Sequence, residues 1–161
     1  MHTRFCFFVA FLSGLVVYQH SASAQTMIGG MPVSCNDFRG FPVYVVANPM
    51  LNDVGMATLG PNGQPIMVLN PGVLQSQPPV LQLFWYAHEC AHHVLGHIVN
   101  RSQLNEAQAD CWAVRTGRQQ GWFPPQAFQL LIQVLGNSPG SPWGHLPGPA
   151  QIQNMLSCYQ S

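Results

Sequence analysis

Two short runs constrain this chain more than anything else in it: His88-Glu89-Cys90-Ala91-His92 and, closely downstream, Asn105-Glu106-Ala107-Gln108-Ala109-Asp110. On an α-helix, at ~100° per residue, positions four apart share one face, separated by ~40° and about one turn of rise. His88 and His92 can therefore place both imidazoles on one metal ion. Glu106 and Asp110 repeat the spacing on a second predicted helix, so their carboxylates face the same way. A fold that uses both runs must set two helices against each other with these polar side chains between them.

The residue types point to hydrolytic chemistry. Glu89, one position round from His88, flanks the metal without occupying its coordination sphere, where a carboxylate can take a proton from a metal-activated water. Glu106 is the predicted third ligand. Asp110, one turn along, is then placed to accept the outward N–H of His88 or His92 and fix the ligand's tautomer. Asn105 is assigned to substrate or to supporting the ligands, and Ser102 is the expected N-cap of the second helix. The bland alternative is a solvated helix face beside an accidental motif. Charge scarcity argues against it, since the chain has only five acids and Glu89, Glu106 and Asp110 are three of them.

With those residues in view, His88-Glu89-x-x-His92 and Glu106-x-x-x-Asp110 resemble the gluzincin peptidases, whose two histidines and downstream glutamate bind zinc. Within that group, the segments Ala91 to His97 and Glu106 to Val114 look most like the HtpX and CAAX-protease family. That family often has a His-Pro stretch before a last helix. Gly144-His145-Leu146-Pro147 is similar, with Leu146 standing between the two residues. The ImmA/IrrE-type peptidases, with a similar glycine-rich His-Glu helix, are the nearest rival. The resemblance spans Val80 to Ile152, and it implies one Zn2+ per chain and hydrolysis of peptide bonds.

The N-terminus bears on compartment. Arg4 precedes the apolar run Phe5 to Val17, and Ala22-Ser23-Ala24 offers the small residues of a signal-peptidase site, so residues 1–24 read as a signal peptide and 25–161 as one mature domain. The run is shorter than the ~20 residues a spanning helix needs, and no later stretch approaches that length. A secreted or periplasmic protein without a stable membrane span is expected. Cleavage leaves Cys35, Cys90, Cys111 and Cys158, an even set in an oxidising compartment. Cys90 lies ~200° round the helix from His88 and so points away from the metal. The favoured pairs are Cys111 with Cys158 and Cys35 with Cys90, and four buried free thiols are the alternative. The chain contains no lysine and its arginines are scattered, which leaves no basic stripe for nucleic acid.

The mature chain reads as strand-rich in its first third and helical thereafter. Val43 to Val46 is a strand pattern, and Met56 to Leu59 and Ile66 to Leu69 flank a hairpin at Pro61-Asn62-Gly63-Gln64 whose Asn-Gly is expected to supply positive φ angles. Pro78-Pro79 opens the motif helix, which runs to about Gly96 to Asn100. Pro124-Pro125 opens another helix ending near Gly136, and Pro149 opens a last one. Gly117 is expected to end the helix of Glu106, leaving Arg115 and Arg118 at a solvated helix end or clamping a substrate carboxylate. Phe84, Trp85 and Tyr86 are assigned to the core. His93 and His97, each ~140° from one ligand histidine, are assigned to polar contacts of the helix face rather than to the metal.

The expected architecture is therefore an α+β, minimal zincin-like domain: a small antiparallel sheet, about four helices, and the metal site on two of them. The expected activity is a zinc-dependent metalloendopeptidase in which His88, His92 and Glu106 hold the metal and Glu89 is the general base. Its partner is a peptide or protein substrate, aligned by an edge strand assigned to Ile66 to Leu69. His145, the only histidine of the mature chain outside residues 88 to 97, is either a surface residue, an oxyanion donor or a cap on the metal's open position. The same ligands would equally serve a zinc-dependent hydrolase of a non-peptide amide, or a catalytically silent zinc-binding envelope protein.

Overall fold

A computed structural model describes residues 26–100, 102, 104–141 and 144–161. The signal-peptide assignment, residues 1–24, lies outside them. The described chain is α+β, with five helices, a two-stranded antiparallel hairpin and a three-stranded mixed sheet. The hairpin is β1 (Thr26–Ile28) and β2 (Met31–Val33). Its turn runs through Gly29 and Gly30, both at positive φ. A Cβ on Gly29 would stand 2.5 Å from the Pro79 carbonyl, so the missing side chain lets the hairpin lie against the start of the motif helix.

The sheet comprises β3 (Tyr44–Ala47), β4 (Gly55–Leu59) and β5 (Pro65–Leu69), in the order β3-β5-β4. β4 and β5 form the expected antiparallel hairpin, with Met56 opposite Val68. Its turn differs from the expectation in one respect: only Gly63 has positive φ, because Pro61 is locked near φ −65° and leaves the left-handed step to the glycine alone. The sheet is mixed rather than antiparallel, since β5 slots between its neighbours and pairs parallel with β3, Tyr44 against Ile66. This overturns Ile66 to Leu69 as an edge strand. β5 is the most buried of the three and occupies the centre, whereas every residue of β3 is exposed and lies at an edge.

After the short α1 (Pro71–Gln75), capped by the Asn70 side chain, comes α2 (Pro79–Val94), with Pro79 in its first turn. This helix is apolar on nearly all sides and is buried through most of its length. Phe84, Trp85 and Tyr86 lie in the core as expected. Gly96, at φ 74°, ends the helix: its N–H donates to the His93 carbonyl and that of His97 to the His92 carbonyl, the two bonds of a Schellman turn.

α3 (Asn105–Gln119) crosses α2 and shares with it the most extensive helix contact of the fold. Leu104, not Ser102, stands at its N-cap: the Ser102 hydroxyl accepts from the Leu104 N–H, ahead of the helix, and donates to Asn105 Oδ1 at 2.6 Å. Gly117 does not end this helix either. A Cβ there would stand 2.1 Å from the buried Phe123 ring, so glycine is required for packing, while the left-handed terminus falls on Gly121. α4 (Pro125–Leu135) and α5 (Gly148–Gln160) close the core with Phe128, Leu131, Leu135 and Met155.

Both favoured disulfides are present, Cys35–Cys90 and Cys111–Cys158. They close segments of 55 and 47 residues, which on a chain-entropy account stabilises the fold by about 4 kcal/mol each. One anchors α2 and the other ties α3 to α5. No helix among the described residues is long and apolar enough to cross a membrane.

Candidate metal centre

The crossing of α2 and α3 brings His88, His92 and Glu106 to one point, as the spacing predicts. His88 Nε2 lies 3.1 Å from His92 Nε2 and 3.1 Å from Glu106 Oε2, and His92 Nε2 lies 3.5 Å from Glu106 Oε1. These three residues form a group that could hold a metal ion, and His88, Glu89 and His145 form a second that shares His88.

Asp110 accepts a hydrogen bond from His88 Nδ1 at 2.9 Å, with both side chains fully buried. The outward proton of His88 is thereby fixed on Nδ1, and Nε2 faces the other donors. A residue the sequence reading did not single out supports this arrangement: Gln151 of α5 donates its amide to Asp110 Oδ1 at 3.0 Å. On the other histidine, His92 Nδ1 meets His97 Nδ1 at 3.0 Å, and His97 Nε2 meets Gln108 Oε1 at 3.0 Å. His97 is therefore a polar contact of the helix end, as expected. His93 is another, donating to the Ile66 carbonyl at 2.9 Å and pinning α2 to β5.

The cluster attracts positive charge. Burial alone would lower the His88 imidazole, but its hydrogen bonds to Asp110 and Glu106 outweigh that and raise it from 6.5 to about 10. Burial, reinforced by the charge on His88, takes His92 the opposite way, to about 4. Glu106 is held below its ordinary value, burial being outweighed by the His88 hydrogen bond and the surrounding imidazoles. The opposite directions of the two imidazoles favour the extra proton on His88 over His92.

Glu89 projects from the same helix into a cleft of about 440 Å3 lined also by Gly55, Met56 and Ala57 of β4, by Asn105 and Glu106, and by Gly144 and His145. Its carboxylate is buried, yet the neighbouring His145, His88 and His92 outweigh that burial and keep it below its ordinary pKa. Gly55 makes room for it, since a Cβ there would lie 2.9 Å from Glu89 Cγ. β4, an edge strand of the sheet, thus borders the cleft, whereas Ile66 to Leu69 do not line it.

His145 is brought into the site and is not a free surface residue. Its ring packs on Trp85, with centroids 4.9 Å apart, and its Nε2 stands 3.4 Å from Glu89 Oε1. On its other side Nδ1 lies 3.6 Å from Asp53 Oδ1. Both are ion-pair separations rather than hydrogen bonds, and Glu89 Oε1 and Asp53 Oδ2 have no hydrogen-bond partner. Asp53 is a second residue the sequence reading missed, although the scarcity of acids that marked Glu89, Glu106 and Asp110 marks it too. Asn105 lines the cleft while accepting from Ser102 and donating to the Asn100 carbonyl.

Arg115 and Arg118 lie elsewhere. Arg115 donates to the Ser161 hydroxyl, and Arg118 donates to the Tyr159 carbonyl while packing over that tyrosine's ring. They fasten the end of α5 and line no part of the cleft. A larger groove of about 880 Å3 runs along α3 and meets the cleft at His97, Ser102 and Asn105, but it contains none of His88, Glu89, His92 or Glu106. No protein-family model, no curated protein and no solved structure matches this chain.

Proposed function

We propose that this chain is a zinc-dependent metalloendopeptidase that hydrolyses peptide bonds outside the cytoplasm, with Zn2+ held by His88, His92 and Glu106. The carrying observation is the convergence of these three lone-pair donors, 3.1 to 3.5 Å apart, beside a buried carboxylate that none of them uses. Nitrogen and oxygen ligands at ~2.0–2.1 Å from a tetrahedral zinc stand ~3.3–3.4 Å from one another, so the donors fit the ion with little movement. Nitrogen and carboxylate donors in this number suit zinc better than calcium or magnesium, which prefer all-oxygen shells. The two disulfides are compatible with an oxidising compartment.

Zinc would supply Lewis acidity, lowering the pKa of a water molecule and polarising the substrate carbonyl. Glu89, ionised and buried at the cleft floor, accepts the water's proton and returns it to the leaving amine. His145, facing Glu89 across the cleft, donates to the oxyanion that develops on the carbonyl, and Asp53 behind it keeps the ring turned inward. The free edge of β4 pairs with an extended polypeptide through its backbone, so recognition tolerates variation in substrate sequence.

The test is purification with zinc, incubation with an unstructured protein such as casein, and mass spectrometry of the products. Cleavage that stops on chelation and returns with zinc is the expected result. Tight zinc binding with no cleavage of casein, or of any peptide tried, would sink the peptidase reading.

A further inference from the structure

The Schellman turn at Gly96 reverses the chain immediately after the motif helix, and this folds the His97 side chain back beside His92. His97 is 6% exposed and makes two ring contacts, one at each nitrogen. Its Nε2 meets the amide oxygen of Gln108, which only accepts, so Nε2 carries the proton. A neutral imidazole protonated there accepts at Nδ1. The 3.0 Å contact between the Nδ1 atoms of His92 and His97 is then a hydrogen bond donated by His92. That leaves the lone pair of His92 on Nε2, which faces His88 and Glu106.

We infer that His97 and Gln108 are positioning residues for the metal centre, holding His92 in the one tautomer that can ligate through Nε2. The inference rests on the metal-site part of the proposed function and not on which bond is hydrolysed. It gives α3 a hold on both histidines. Asp110 reaches His88 directly, and Gln108, two residues earlier, reaches His92 through His97. Gln108 is otherwise solvent-exposed, so water competes for its bond and its share is the smaller of the two.

The experiment compares zinc affinity, by competition with a calibrated chelator, in the wild type and in His97→Leu, His97→Asn and Gln108→Leu, each verified as folded by circular dichroism. His97→Leu should weaken zinc by roughly 10–100-fold, the range for losing a ligand's hydrogen-bond partner. His97→Asn should stay within a few-fold of wild type, because its Oδ1 takes the place of the accepting Nδ1. Gln108→Leu should fall between them. Nitrogen-15 shifts of the imidazoles give an independent readout, with the His97 proton expected on Nε2 and that of His92 on Nδ1. Wild-type affinity in folded His97→Leu, equal losses in the Leu and Asn variants, or a proton on His97 Nδ1 would each overturn this inference alone. A wild type that takes up no zinc overturns the metal-centre reading together with it.

Discussion

The two walls of the cleft are built to different tolerances. On the α2 and α3 wall each candidate ligand histidine is backed by a chain of hydrogen bonds: His88 by Asp110 and Gln151, His92 by His97 and Gln108, all at 2.9 to 3.0 Å. On the facing wall His145 stands 3.4 Å from Glu89 and 3.6 Å from Asp53, without a hydrogen bond to either. Low-dielectric surroundings make the first arrangement costly to distort. The second has slack, which under the proposed function a substrate takes up, since catalytic hydrogen bonds often tighten only when substrate is bound. One wall fixes a geometry in advance and the other completes it on demand.

Removing the group that works between the walls should separate them most sharply. Glu89→Gln should lower the hydrolytic rate by roughly 10²–10⁴-fold, the contribution typical of a general base, while zinc content measured on the same sample stays at the wild-type level. Parallel loss of zinc and rate would mean that Glu89 belongs to the metal wall. His145→Ala should cost roughly 10²-fold in rate with zinc retained, the scale for one oxyanion donor. A rise in activity would show instead that the imidazole competes for the metal's open position, as its grouping with His88 and Glu89 allows.

The smallest effect concerns the locked wall without its metal. His88, raised from 6.5 to about 10, favours the folded state fully below pH 6.5 and loses that contribution as pH rises towards 10. His92, lowered from 6.5 to about 4, is protonated in the unfolded chain before the folded one, so acidification from 6.5 to 4 also removes stability. Urea midpoints of chelator-treated protein should therefore peak near pH 6.5 and fall on both sides, and zinc should flatten the alkaline limb. A midpoint that climbs steadily from pH 6.5 to 9 would contradict the raised affinity of His88 for its proton.

The locked wall was largely legible in the sequence because helical periodicity is a local rule. A spacing of four predicts a shared face wherever the helix lies, so His88, His92, Glu106 and Asp110 could be grouped before any fold was known. Cys90 could be turned away from the metal by the same rule, and it pairs with Cys35. The other wall depends on long-range packing, which leaves no such periodic trace. β5 reads as an edge because the hairpin is visible in sequence, whereas the parallel return beside β3 is not. Asp53 carried a faint signal in its rarity, but Gln151 carried none: one glutamine among many acquires its role only when α5 docks. His97 was separated from the ligands by its angle on an ideal helix, yet its actual place is set by the turn at Gly96, beyond the last helical residue.

The hold of Gln151 on Asp110 has a consequence in time. The candidate ligands His88, His92 and Glu106 leave a chain threaded N-terminus first before α5, which carries Gln151 and Cys158. An incomplete chain could gather its histidines around an ion, yet the carboxylate that orients His88 would lack its amide partner, and α3 would lack its covalent tether. The candidate centre thus reaches its final rigidity only once α5 has docked and the Cys111–Cys158 bond has formed, and under the proposed function activity is scheduled by chain order.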